Sequence, residues 1–147
     1  MKSPAPNGGD SQADGSAVKP RILVVDDNAD AANSLGRLLS LLGNEVRVVH
    51  SGTAALSEID RFHPRAVLLD LGMPVMDGFE TAEQIRARPE FQDIALVAIT
   101  GWGQDRDRQR TEAAGFAAHL IKPVKLDELE AVLRRITTSE PSSTAPP

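Results

Sequence analysis

Short, nearly continuous apolar runs alternate with longer segments of mixed polarity along most of the chain. Five runs are rich in β-branched residues, which is typical of strands buried on both faces of a parallel sheet. The predicted strands cover residues 22–25, 46–49, 66–69, 94–99 and 117–121. A chain built on such runs places most of its apolar surface in the middle of a layered domain.

The segments between these runs carry apolar residues at helical spacing. The clearest has Leu35, Leu38, Leu39 and Leu42 at positions i, i+3, i+4 and i+7, and Gly43 ends it. Other predicted helices cover residues 79–85 and 129–136, with weaker ones at 53–61 and 104–114. Because strand and helix alternate five times, the pattern predicts an α/β fold with a parallel sheet and right-handed crossovers.

The two ends of the chain differ from its middle. Residues 1–20 are rich in Pro, Gly, Ser, Ala and Asp, and they offer no apolar face that could pack. We therefore expect a disordered leader or linker at 1–20, one folded domain at 21–136 and a flexible tail at 137–147. The total of 147 residues fits a single domain with two tails.

Composition narrows the function classes. Cysteine is absent, which excludes disulfides, thiolate metal sites and cysteine nucleophiles. The formal net charge is −5 and no basic block occurs, so we expect no direct nucleic-acid partner. Apolar runs are too short to span a membrane, and the first residues lack a signal-peptide pattern. We expect a cytoplasmic protein that does not contact membranes.

Candidate chemistry lies at the carboxyl ends of four predicted strands. Asp26 and Asp27 follow the first strand, Asp70 follows the third, Thr100 the fourth and Lys122 the fifth. Because loops at one edge of a parallel sheet converge, these side chains are expected to share a pocket. Each acidic residue alone could instead cap a helix or start a turn, but the joint pattern favours a functional site.

The charges of this set indicate phosphoryl transfer. Packed carboxylates repel one another unless a cation intervenes, and Mg²⁺ prefers oxygen ligands that it shares with phosphate groups. No histidine base or activated serine is placed for hydrolysis of the triad type. A metal ion and a lysine neutralise a transferring phosphoryl group, and one carboxylate acts as its nucleophile.

Around these same residues the sequence resembles the receiver domains of two-component response regulators. The resemblance rests on four motifs in the family's order and covers the whole predicted domain. The motifs are ILVVDDN at 22–28, LLDLGMPVMDG at 68–78, AITG at 98–101 and IKP at 121–123. It implies a flavodoxin-like, doubly wound (βα)5 fold whose five parallel strands follow the order 2-1-3-4-5.

The resemblance also implies a role for each residue of the site. Asp70 would accept the phosphoryl group from a histidine kinase or a histidine phosphotransfer protein. Mg²⁺ or Mn²⁺ would be held by Asp26, Asp27, Asp70 and the backbone carbonyl of Gly72. The chain would assist only its own phosphorylation and dephosphorylation, so we do not expect an enzyme that acts on a separate substrate.

Further roles follow from the same resemblance. Thr100 and Lys122 would contact phosphoryl oxygens, and the peptide bond between Lys122 and Pro123 would be cis. Receivers usually carry Tyr or Phe three residues before this lysine as a conformational switch, whereas this chain has His119. An imidazole can rotate inward or remain a half-buried surface group, and the sequence leaves both open.

Two positions, Gly72 and Trp102, are expected to border the path of the water that hydrolyses the phosphoryl group. Residues 104–136 are expected to contact an unknown downstream protein. His50 and His63 are interpreted as ordinary solvated residues.

Two other protein classes fit part of the pattern. A phosphohydrolase of the haloacid dehalogenase type also uses an aspartyl nucleophile, but it needs a second Asp where Gly72 stands. A receiver that only binds proteins would not need the intact acidic set. The sequence leaves open whether the chain is a stand-alone regulator or the terminal receiver of a hybrid kinase.

Overall fold

The computed structural model describes residues 19–73, 78–101 and 111–142, with side chains to residue 136. Strands and helices alternate along these residues. They are β1 (Arg21–Val25), α1 (Ala29–Leu41), β2 (Glu45–Val49), α2 (Gly52–Phe62), β3 (Ala66–Asp70), α3 (Gly78–Arg86), a 3-10 turn (Pro89–Phe91), β4 (Ala95–Thr100), β5 (Ala118–Ile121) and α4 (Leu126–Ser142). Residues 111–113 are also helical, and the rest of the helix predicted at 104–114 lies outside the described residues.

The strands form one parallel sheet in the order β2-β1-β3-β4-β5. This result confirms the predicted fold class and strand order. The chain moves outward from β1 to β2 and then returns to place β3 on the other side of β1. The reversal leaves a crevice between the loops after β1 and β3, which is where ligands bind in folds of this type.

The strand register aligns the carboxyl ends of β2, β1 and β3 beside this crevice. Val25 pairs with Val49 on one side and with Leu69 on the other. The next residues along β1 and β3 are Asp26 and Asp70, so the backbone pairing itself brings these two carboxylates to the same edge.

Both faces of the sheet are covered by helices. Ile22 and Val24 of β1 pack into an apolar cluster with α1 and α4, whereas Leu23 and Val25 pack into a second cluster with α2 and α3. All four side chains are buried. This two-sided burial explains why β1 appears in the sequence as a continuous apolar run rather than as an alternating pattern.

The ends of the helices are set by polar residues as well as by the apolar pattern. Asn28 and Ser51 cap α1 and α2 through their side chains, accepting from the backbone N–H groups of Ala31 and Ala54 at 3.0 Å each. Helix α4 continues to Ser142, so it extends into the segment that was predicted as a flexible tail from residue 137. Apolar periodicity marks only the packed part of a helix, and its backbone hydrogen bonds continue through polar residues.

Within the described ranges, none of the helices combines the length and apolar character that crossing a bilayer requires.

Candidate functional site

Three carboxylates meet at the crevice beside β1. Asp26 and Asp27 follow β1 directly, and Asp70 is the last residue of β3. One carboxylate oxygen from each residue lies within 4.8 Å of those from the other two. Asp26 and Asp70 are buried, whereas Asp27 is exposed at the mouth of the cluster. The structure thus brings together the acidic residues that the sequence singled out.

Lys122 reaches this cluster from the end of β5. Its Nζ lies 3.3 Å from Oδ2 of Asp26 and 3.5 Å from Oδ2 of Asp70. Its backbone N–H donates to the carbonyl of Thr100 at 2.7 Å, which ties the loop after β5 to the end of β4. The Lys122–Pro123 peptide bond is cis, as the resemblance implied. The lysine is therefore shared by the two buried carboxylates.

The backbone orients both buried carboxylates. Oδ1 of Asp26 accepts from the N–H of Asn28 at 2.9 Å, and Oδ1 of Asp70 accepts from the N–H of Gly72 at 3.0 Å. Each is a local bond to a residue two positions ahead, as in an Asx turn. One oxygen of each carboxylate is thus fixed by its own loop, and the other points toward Lys122.

Burial and crowding perturb the charges of this cluster. The pKa of Asp70 is raised above its ordinary value by burial and by the neighbouring Asp26, which together outweigh the Gly72 N–H and Lys122. Burial alone would lower the pKa of Lys122, but attraction to Asp70 and Asp26 raises it overall. One ammonium group therefore does not fully compensate the three carboxylates.

The donor set fits a hard divalent cation. Three carboxylates whose oxygens approach within 4.8 Å offer the ligand type that Mg²⁺ and Mn²⁺ prefer. Burial, followed by the neighbouring Asp26, raises the pKa of Asp70, and a bound cation would oppose both effects by favouring the charged carboxylate. Asp26, Asp27 and Asp70 are the residues that would hold the ion. The role of the Gly72 carbonyl as a further ligand stays a prediction.

Thr100 ends β4 beside this cluster and is buried. It pairs in register with Ile121, the residue before Lys122. Among the residues that the structure describes, none has an atom within 4 Å of a Cβ placed on the following Gly101, so open space adjoins the threonine on that side. The end of β4 thus contributes a hydroxyl and room for a ligand at the same edge as the carboxylates.

His119 lies in β5 opposite Ala98 and is half-buried. Its neighbours Ala118 and Leu120 face the cluster that contains α4, so strand alternation directs His119 to the other face of the sheet. Its role as a conformational switch stays a prediction. Trp102, proposed to border the path of water, lies outside the described residues.

His50 makes a contact that its sequence context does not predict. Its Nδ1 lies 3.0 Å from the backbone carbonyl oxygen of Asp26, although the residue was interpreted as simply solvated. His63, at the end of α2, is exposed as expected. The position of His50 directly after β2, at the edge where β1 delivers Asp26, was the available signal.

Gly78 allows the loop of Asp70 to close. A Cβ at this position would lie 2.7 Å from the Asp70 carbonyl oxygen and 2.8 Å from the Cα of Leu71. We expect Gly78→Ala to lower the free energy of unfolding by about 1–3 kcal/mol, because rigid backbone atoms must move. Chemical denaturation measures the loss, and Gly101→Ala is the control because its Cβ enters open space. Equal stability of the two variants would contradict this packing.

Comparison with known proteins places this geometry in one family. The family model described as the response regulator receiver domain matches residues 22–134. A curated but uncharacterized 14.6 kDa protein of Leptolyngbya boryana is 37% identical over 111 residues, which cover 76% of this chain and 83% of that protein. The transcriptional regulatory protein PrrA of Mycobacterium tuberculosis is 36% identical over 134 residues, 88% of this chain but only 57% of PrrA.

Solved structures show the same architecture. The receiver domain of Methylobacillus flagellatus has a TM-score of 0.73 at 32% identity, covering 81% of this chain and 99% of that one. The chemotaxis protein CheY4 of Vibrio cholerae has a TM-score of 0.77 at 25% identity, again over 81% of this chain and 99% of its own. The family model spans nearly all of the described domain. The chain therefore belongs to the receiver domains of two-component response regulators.

Proposed function

We propose that Asp70 accepts a phosphoryl group from a phosphohistidine donor in a reaction that depends on Mg²⁺ or Mn²⁺. The observation that carries the proposal is the position of the Asp70 carboxylate. It is buried at the end of a central strand, within 3.5 Å of the Lys122 ammonium and beside two further carboxylates. This is the arrangement that phosphoryl transfer to a carboxylate requires.

Asp70 is the better nucleophile among the three carboxylates. Asp26 is held by the Asn28 N–H and by the nearer of the two contacts with Lys122, at 3.3 Å. Asp27 is exposed, so its charge is well solvated. Asp70 has one oxygen fixed by the Gly72 N–H and the other beside the lysine, in a buried position where water competes less.

The proposed reaction follows from these positions. An oxygen of Asp70 attacks the phosphorus atom of the donor, the bond between phosphorus and the donor imidazole nitrogen breaks, and that nitrogen takes up a proton. Asp26, Asp27 and Asp70 would hold a divalent cation, which would supply positive charge to the phosphoryl oxygens. Lys122 pairs with one phosphoryl oxygen and the Thr100 hydroxyl donates to another. The acyl phosphate on Asp70 is later hydrolysed by water.

The partners of this reaction are also proposals. The donor is a histidine kinase or a histidine phosphotransfer protein, and a downstream protein is contacted through residues 104–136. Phosphorylation shifts the population of two conformations by adding contacts at Thr100 and Lys122. The chain spans 57% of PrrA, so the activity of such longer regulators is not transferred to it. A cytoplasmic location stays a prediction.

Incubation with acetyl phosphate tests the proposal without a partner protein. In the presence of Mg²⁺, intact mass spectrometry is expected to show a gain of one phosphoryl group that is lost at alkaline pH. Chelation of the metal with EDTA is expected to prevent the gain. A wild-type chain that binds the metal but stays unmodified would contradict the proposal and favour a receiver that only binds proteins.

A further inference from the structure

We propose that His50 is a positioning residue for the metal site, because it fixes the backbone of the Asp26–Asp27 turn. The inference rests on the proposed metal-dependent function of this cluster. It concerns a contact between the end of β2 and the turn after β1 that does not involve any of the carboxylates directly.

Both backbone groups of Asp26 are bonded to the end of β2. Its N–H donates to the carbonyl of Val49 at 3.2 Å, and its carbonyl lies 3.0 Å from Nδ1 of His50. A carbonyl oxygen can only accept, so Nδ1 must carry the proton. The neutral Nδ1–H tautomer and the doubly protonated ring both meet this requirement, so the contact does not depend on the charge of His50.

This contact determines the direction of the next residue. The carbonyl of Asp26 belongs to the peptide group that joins it to Asp27. When the plane of that peptide is fixed, the path of the backbone into Asp27 is fixed as well. Within the part of the chain that the structure describes, no hydrogen bond to the Asp27 carboxylate is present, and the residue is exposed. Its direction toward Asp70 therefore depends on its backbone.

The backbone next to His50 is held in place by the start of α2. Ser51, the next residue, caps this helix through a 3.0 Å bond from the N–H of Ala54. His50 is exposed and belongs to neither apolar cluster. Removing its side chain therefore leaves the core intact and acts mainly on the turn. Loss of a hydrogen-bonding partner that orients the ligands of a metal site commonly costs about 10–100-fold in metal affinity.

A Mn²⁺ titration of the full chain, followed by the electron paramagnetic resonance signal of the free ion, tests the inference. We expect His50→Ala to weaken Mn²⁺ binding by about tenfold. His50→Asn is expected to retain the wild-type affinity, because the Asn amide N–H₂ can occupy the place of Nδ1–H. His63→Asn is the control that removes an imidazole at the other end of α2, where Asn tolerates the left-handed backbone (φ 53).

The unfolding midpoint without metal separates positioning from stability. We expect the midpoint of His50→Ala to stay close to that of the wild type. Unchanged Mn²⁺ affinity in His50→Ala would overturn the inference and leave the proposed function intact. Equal weakening in the Ala and Asn variants, or weakening that parallels a lower metal-free midpoint, would also overturn it. Absence of Mn²⁺ binding by the wild type would instead overturn the proposed function together with the inference.

Discussion

The Asp70→Asn variant is expected to take up no phosphoryl group from acetyl phosphate under conditions that modify the wild type fully. The amide is nearly isosteric with the carboxylate, but it lacks the anionic oxygen that attacks phosphorus. Asp93→Asn is a matched control, because it replaces an exposed acid just before β4, at the edge of the sheet opposite the cluster. Intact mass spectrometry of the three proteins measures the effect. Wild-type incorporation by Asp70→Asn would place the acceptor elsewhere.

The same variant is expected to change the pH dependence of stability. The pKa of Asp70 is raised from its ordinary value of 3.8 by burial and by Asp26, so the folded chain binds this proton more tightly than the unfolded chain does. The metal-free wild type therefore loses stability as the pH rises from the pKa of Asp70 in the unfolded chain to its raised pKa in the folded chain. The loss persists at higher pH. Asp70→Asn cannot ionise and does not share the loss.

Thermal unfolding in the absence of metal measures this difference. We expect Asp70→Asn to be at least as stable as the wild type at neutral pH and to lose its advantage as the pH falls toward 3.8. An advantage that grows toward acid pH would contradict the raised pKa of Asp70.

The second large effect is expected from Lys122→Gln. The substitution keeps an extended polar side chain and removes the ammonium group that lies 3.3 Å from Asp26 and 3.5 Å from Asp70. In the proposed reaction this charge stabilises a phosphoryl oxygen in the transition state. Its loss is expected to lower the rate of phosphorylation by about 10²–10³-fold, the typical cost of removing one such group.

Lys122→Gln is expected to raise the affinity for Mg²⁺ although it lowers the rate of phosphorylation. The ammonium group and a divalent cation are attracted to the same carboxylates, so its removal is expected to strengthen Mg²⁺ binding. The rate of acetyl phosphate incorporation at saturating Mg²⁺ isolates the effect on chemistry. Lys125→Gln removes a nearby exposed ammonium group and serves as the control. A wild-type rate in Lys122→Gln would show that the lysine plays no part in the transfer.

Most of the fold could be predicted because its signals are local. Nearly continuous apolar runs marked the strands, since both faces of the sheet are covered, and Arg47 and His119 are the polar interruptions in β2 and β5. Helix α2 gave a weaker signal because its buried side includes Glu58, an acid that apolar periodicity does not recognise. Arg47 of β2 and Arg61 contact Glu58 at 2.7 and 2.9 Å. Arg61 is a local i,i+3 partner within the helix, whereas Arg47 comes from a strand, and apolar periodicity within the helix does not reveal that contact.

The site was predictable at the level of residues but not of contacts. The convergence of Asp26, Asp70 and Lys122 follows from strand ends and topology. Strand ends and topology do not predict that one oxygen of each buried carboxylate bonds to the backbone while the other faces the lysine. The His50 contact was missed because a lone histidine carries no periodic signal, and its partner is a backbone carbonyl that every residue possesses.

Reduction of the phosphorylated chain with borohydride identifies directly which aspartate accepts the phosphoryl group. An acyl phosphate is reduced to an alcohol, so the acceptor aspartate becomes homoserine, and peptide mass spectrometry identifies its position. After incubation with acetyl phosphate and Mg²⁺, the account predicts homoserine at position 70 and unmodified Asp26 and Asp27. Homoserine at another aspartate, or phosphorylated protein without any reducible aspartate, would contradict it.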